Sequence, residues 1–215
     1  MRFMKKRIAM VLLTVFMVTT LAVPVFAADR YSSFTSLKRY NTYGKDYRIV
    51  VRDRASSKAV IAIHGGNIEF ETDDIASAIA ARGGYDYYGF IGLRKGFGLH
   101  VTSTRFNEPQ ARRLVAKSSR TVAIHGCGGT SRAVTYVGGR DRVLGNKIKA
   151  ALRKAGFTAV SAPARLAGTS SANIANRNRI GRGVQLELSV PMRSKLARNS
   201  ALFNRYVNAV TKAMK

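Results

Sequence analysis

The chain predicts a single α/β domain built on an open, twisted, mostly parallel (mixed) sheet with helices on both faces. Three observations carry this reading. Short β-rich apolar runs alternate with amphipathic helical stretches, the pattern of a parallel sheet covered on both sides. About 188 residues follow residue 27, which suits one domain with a real core. No internal repeat and no linker divides them.

The first 27 residues stand apart from that fold. Met1 to Arg7 carries four basic residues, Ile8 to Val23 is apolar, and Val25-Phe26-Ala27 offers small residues at a cleavage site. This is the pattern of a secretory signal peptide, residues 1–27, with the mature domain over residues 28–215. The reading predicts a secreted, extracellular protein. No later segment is long and apolar enough to span a bilayer, so no membrane anchor is expected after cleavage.

Asp29 to Lys45 is polar with scattered aromatics and reads as a lead-in strand or loop. Tyr47 to Val51 reads as a strand, and Lys58 to Ile63 as a buried one, bounded by Ser56-Ser57 and His64-Gly65-Gly66. Thr72-Asp73-Asp74 supplies cap chemistry and first-turn acids for a helix ending at Gly83-Gly84. Asp86 to Leu93 and Leu99 to Thr104 read as strands, Glu108 to Ser118 as a helix, and Thr121 to Ile124 as a strand. Val134 to Val137 is a further strand, stopped by Gly138-Gly139. Asp141 to Ala155 is the clearest helix, with Leu144, Ile148 and Leu152 as its buried stripe and Gly156 ending it. Phe157 to Ser161 is a strand, residues 162–182 a long loop, and Gly183 to Ser189 a strand. One C-terminal helix carries Leu196, Phe203, Val207, Val210 and Met214 on one face.

Charge narrows the partners. The full chain has a formal net charge of +26; removing the leader's four basic residues leaves 33 Lys and Arg against 11 Asp and Glu, or +22. Past residue 108, 21 Lys and Arg face only Asp141 and Glu187. Such a field recruits polyanions. Export points to anionic polymers of the cell wall or capsule, and away from nucleic acid. The single cysteine, Cys127, closes no disulfide within the chain.

Three separated stretches place catalytic-type residues where apolar runs end or inside a strand: His64-Gly-Gly-Asn-Ile-Glu69, His125-Gly126 and Gln185-Leu-Glu-Leu-Ser189. The chain has only three His and four Glu, which makes this placement informative. An open zinc site takes about three protein ligands and leaves a position for water. His64, Glu69 and His125 would be the ligands, with Glu71 as the competitor of Glu69. Glu187 would be the catalytic proton carrier: strand alternation sets it with Gln185, opposite Val184, Leu186 and Leu188. Arg105, Asn176 and Arg177 are the expected substrate-binding residues. His100 is read first as a residue that supports the site or contacts substrate, beside the alternatives of a third imidazole ligand or a plain strand residue. Cys127 invites a Cys–His nucleophile reading, although a structural thiol accounts for it with fewer assumptions.

The stretches His64-Gly-Gly-Asn-Ile-Glu69, Leu99-His-Val-Thr-Ser-Thr-Arg-Phe-Asn-Glu-Pro109, Ala123-Ile-His-Gly-Cys127, Tyr136-Val-Gly-Gly139, Asn173-Ile-Ala-Asn-Arg177 and Gly183-Val-Gln-Leu-Glu-Leu-Ser189 resemble the poly-γ-glutamate hydrolase family, from about Tyr31 to Arg193. The resemblance implies a metallocarboxypeptidase-like fold and a zinc-dependent amidase cutting γ-glutamyl bonds of an anionic polymer. It matches His64, Glu69 and His125 to metal ligands and Glu187 to the catalytic carboxylate. Two other classes stand beside this one: a different zinc amidase acting on wall peptides or N-acyl amino acids, and a non-catalytic polyanion-binding protein.

Overall fold

The structure, a computed structural model, describes residues 29–215; the expected signal peptide lies outside them. Seven strands form one mixed sheet: β1 (Tyr47–Arg52), β2 (Lys58–Gly66), β3 (Asp86–Gly92), β4 (Arg120–Cys127), β5 (Thr135–Gly139), β6 (Ala159–Ser161) and β7 (Val184–Ser189). Their order is β1-β3-β2-β4-β7-β5-β6. The central run β3-β2-β4-β7 is parallel, as is β5 with β6, while β1 pairs antiparallel with β3 and β5 with β7. The expected mixed, mostly parallel α/β sheet is what the chain forms.

Among the described residues six helices cover the sheet: α1 (Phe34–Tyr40), α2 (Thr72–Gly83), α3 (Pro109–Lys117), α4 (Arg142–Lys154), α5 (Val190–Ala197) and α6 (Ser200–Met214). Strand alternation sends Val60, Val122, Ile124, Val184, Leu186 and Leu188 into one apolar cluster with α2, α4, α5 and α6. Ala59, Ile61, Tyr88, Phe90 and Ala123 point the other way, into a second cluster with α1 and α3.

Four elements differ from the sequence reading, each for a local reason. Residues 34–40 form a helix, because the Ser33 hydroxyl caps the Ser36 amide while Phe34 and Leu37, one turn apart, are buried. Leu99 to Thr104 is not a strand: a 3-10 turn over Phe97–Leu99 leads into loop, and no strand pairs with it among the described residues. The C-terminal helix is two helices, since Asn199 leaves helical geometry and its side chain accepts from the Leu202 amide to start α6. The loop over 162–182 carries two 3-10 turns, Ala164–Leu166 and Ile174–Asn176.

Candidate metal centre

The carboxyl ends of β2, β4 and β7 lie side by side, the place where open α/β sheets collect ligands. β2 runs through His64 and β4 through His125, so both imidazoles are strand residues and not loop residues. His125 is in direct register with Glu187 of β7. Glu69 returns to them through a tight turn in which its own amide donates to the His64 carbonyl at 2.8 Å. The two glycines after His64 make that turn possible. A Cβ on Gly65 would sit 2.7 Å from Asp73 Cβ, and Gly66 has φ +64° with Gly92 O 2.5 Å from where its Cβ would be. Their need for space is therefore toward α2 and β3.

His64, Glu69 and His125 offer donor atoms that all lie within 4.8 Å of one another, and all three residues are buried. His64 Nδ1 is 3.1 Å from Glu69 Oε1 and 3.1 Å from His125 Nδ1. His64 Nε2 donates to the Val101 carbonyl at 2.9 Å, which leaves the Nδ1 lone pair facing the carboxylate. Glu69 Oε2 accepts from the Gly126 amide at 2.7 Å and lies 3.7 Å from His125 Nδ1. Three donor atoms gathered at such distances are able to share one cation. His125 Nε2 is also buried without a partner among the described residues. Two imidazoles and a carboxylate are the donor set of a divalent ion such as zinc, and the arrangement fits one. Burial by itself would raise the Glu69 carboxyl, but His64 and His125 outweigh it and hold the group well below the usual carboxylate range. Glu71, the alternative carboxylate, is not in the cluster; it occupies a left-handed position (φ +71°) at the start of α2.

Glu187 is buried, and burial followed by the Glu69 charge pushes its carboxyl up to about 8. Its orientation is set by a chain of amides. Asn173 Oδ1 accepts from the Ala175 amide, so Asn173 Nδ2 donates to Gln185 Oε1 at 2.7 Å. Gln185 Nε2 is thereby turned to donate to Glu187 Oε1 at 2.7 Å. A buried acid with a raised pKa and one fixed lone pair suits a proton carrier.

His100 lies against the cluster. Its ring centroid is 4.0 Å from that of His64, its Nδ1 is 2.6 Å from Asp29 Oδ1, and its Nε2 is 3.9 Å from Glu69 Oε1. Burial, then the neighbouring His64, pushes it down to about 4, so its ring is neutral at pH 7. Arg105 is exposed on the loop before α3. Arg177 donates from Nε to Ala172 O and lines a separate hollow of about 420 Å³ with Arg112 and Arg113. Asn176 spends its amide on backbone: Nδ2 donates to Gly168 O and Ser170 O, and Oδ1 accepts from Arg140 and Gly183 amides. It holds the loop to β7 and leaves no group free for substrate. Cys127 is buried, and burial, then Glu187, pushes its thiol up to about 12, the reverse of an activated nucleophile.

Two site residues had no signal in the motif reading. Arg193, the last residue of the matching stretch, is buried on α5. It stacks on Phe70 at 4.4 Å and donates to Leu188 O and Phe70 O. Its guanidinium fills the space beside Gly126, where a Cβ would come within 2.6 Å of Cζ. Asp29, which orients His100, lies in a stretch with no pattern of its own.

Fold and site together define an α/β protein with a buried His–Glu–His cluster, able to hold a metal ion, at the carboxyl ends of its central parallel strands. The family model for poly-gamma-glutamate hydrolase matches residues 31–215, and the chain belongs to that family. A solved bacteriophage poly-gamma-glutamate hydrolase is similar over 87% of this chain and 97% of its own, with 32% identity and a TM-score of 0.83. The zinc-free apo form of YndL is similar over 87% of this chain and 98% of its own, with 30% identity and a TM-score of 0.76. In sequence the chain is 41% identical over 185 residues to the SPbeta prophage-derived UPF0714 protein YoqZ of Bacillus subtilis (strain 168). That match covers 84% of this chain and 66% of the length of YoqZ.

Proposed function

We propose that the chain is a secreted, extracellular zinc-dependent amidase that hydrolyses γ-glutamyl bonds of poly-γ-glutamate. The observation that carries the proposal is the convergence of His64, Glu69 and His125 on one point, with Glu187 in direct register beside His125. Family membership supports the substrate, and the +22 balance of residues 28–215 supports capture of a polymer bearing one carboxylate per residue. The N-terminal pattern of a signal peptide supports export.

His64, Glu69 and His125 would hold the ion, whose chemistry when bound is to polarise the scissile carbonyl and to acidify water to a pKa of roughly 7. Zinc suits a hydrolysis that needs no redox step. The chain's own groups do the rest. Glu187, kept dry and oriented by Gln185, takes a proton from the attacking water and returns it to the leaving amine. His100 stays neutral beside His64 and walls the site. Arg105 and Arg177 would meet carboxylates farther along the polymer with planar, bidentate donors.

The test is viscosity loss of poly-γ-glutamate with purified protein, run beside wall peptides and N-acyl amino acids and repeated after chelation. The reading predicts rapid thinning that chelation stops and readdition of zinc restores. Turnover of wall peptides or N-acyl amino acids without thinning would overturn the substrate, and thinning that survives chelation would overturn the metal.

A further inference from the structure

The face of the molecule served by α4 and α6 carries a feature that the catalytic cluster does not use. The two helices enclose a groove of about 890 Å³. Lys147 and Lys154 stand on its α4 side, and Arg205 and Lys212 on its α6 side. Each pair is seven residues apart, two helical turns, so each helix presents cations about 10 Å apart along the same face. Lys215 closes the row. Between the charges the floor is alanine: Ala150 and Ala151 on α4, Ala209 and Ala213 on α6.

Among the described residues no acidic side chain lines the groove, and neither helix contains one. Exposed surfaces normally interleave both signs, because a run of like charges repels itself. α5 leaves the end of β7, and α6 follows it from Ser200. The C-terminal end of α6 reaches the starts of the central strands β2 and β4, where Lys58 and Arg120 donate to the Lys215 carbonyl. The groove therefore lies on the sheet face that α4 and α6 cover, the face opposite His125 and Glu187.

We infer that the α4–α6 groove is a second, non-catalytic binding site for an extended polycarboxylate chain. The inference rests on the proposed function for the identity of that polymer. Two rows of cations match a strand bearing carboxylates along its length. The small alanines let the strand's backbone settle between the lysine and arginine stems. A second site on the same polymer raises the local concentration of scissile bonds at the first without any new contact there.

The test compares two variants of equal charge change. One is K147A/K154A/R205A/K212A; the control is K38A/R39A/K45A/R48A, four exposed cations away from the groove. Affinity for long poly-γ-glutamate is measured by titration in a Glu187→Gln background, and turnover of a short γ-linked glutamate oligomer in the otherwise native chain. The groove variant should lose about tenfold or more in polymer affinity, with a shallower salt dependence, and the control less than about threefold. Short-oligomer turnover should be unchanged in both. Equal weakening in the two variants, or none in the groove variant, would overturn the groove. So would a groove variant that binds polyglutamate normally but loses anionic vesicles or single-stranded DNA. Absence of γ-glutamyl turnover in the native chain, with groove-dependent polymer binding intact, would overturn the proposed activity and leave the groove standing.

Discussion

β4 and β7 alternate their side chains between two surroundings. Toward α2, α4, α5 and α6 they turn Val122, Ile124, Leu186 and Leu188, all fully buried among apolar neighbours. Toward the other face they turn His125, Gln185 and Glu187, buried almost as deeply but polar or ionisable. Desolvating such groups is unfavourable unless each is paired. One set of strands thus concentrates cohesion on one side and buried polarity on the other. Residues adjacent in sequence should therefore respond to substitution in opposite currencies, rate on one face and stability on the other.

The largest contrast lies between neighbours. Glu187→Gln should lower turnover by about 10²–10⁴-fold while leaving the melting temperature unchanged or raised. Leu186→Ala should destabilise by about 2–5 kcal/mol in denaturant titration and spare the rate of the remaining folded protein. A Glu187→Gln protein with normal turnover would break the comparison. A smaller effect belongs to the amide that orients Glu187. Gln185→Leu should cost about tenfold in turnover. It should also shift the ascending limb of the pH–rate profile upward, because the lost donor favoured the carboxylate. An unshifted profile would make Gln185 purely structural.

Stability gives a third test on the same face. An unfolded Glu187 ionises near 4.5 and burial pushes the folded one up to about 8, so between those values the folded state binds more protons. Its contribution is then present at low pH and lost as pH rises through that window. In chelated protein the melting temperature should show this decline, and Glu187→Gln should flatten it. The smallest effect is at Cys127. With its thiol raised to about 12, Cys127→Ser should change turnover less than about twofold, and iodoacetamide should react slowly at pH 7.

Much of this division was legible in the residues. β-branched and apolar runs mark all seven strands, and the period of two places Glu187 opposite Leu186. Convergence was not legible, because it depends on the order β3-β2-β4-β7, and no local pattern encodes which strands are neighbours. Leu99 to Thr104 alternates buried and open positions like a strand, yet its alternation comes from wedging Leu99 and Val101 inward while His100 stacks on His64. α1 leaves little pattern in the sequence, because only two of its seven side chains are buried. Asn176 has the chemistry of a substrate donor, but backbone groups of the loop and of Arg140 and Gly183 claim all of it. Arg193 lay unmarked among many arginines, and only its burial against Phe70 and Gly126 distinguishes it.

The claim on which the polar face depends is that His64, Glu69 and His125 jointly hold one divalent ion. Elemental analysis of the purified, dialysed protein, beside His64→Ala and His125→Ala, addresses it directly. The account predicts one zinc per chain in the native protein and loss of the metal in both variants, with circular dichroism showing that each still folds. Zinc retained at full stoichiometry in both folded variants would contradict it.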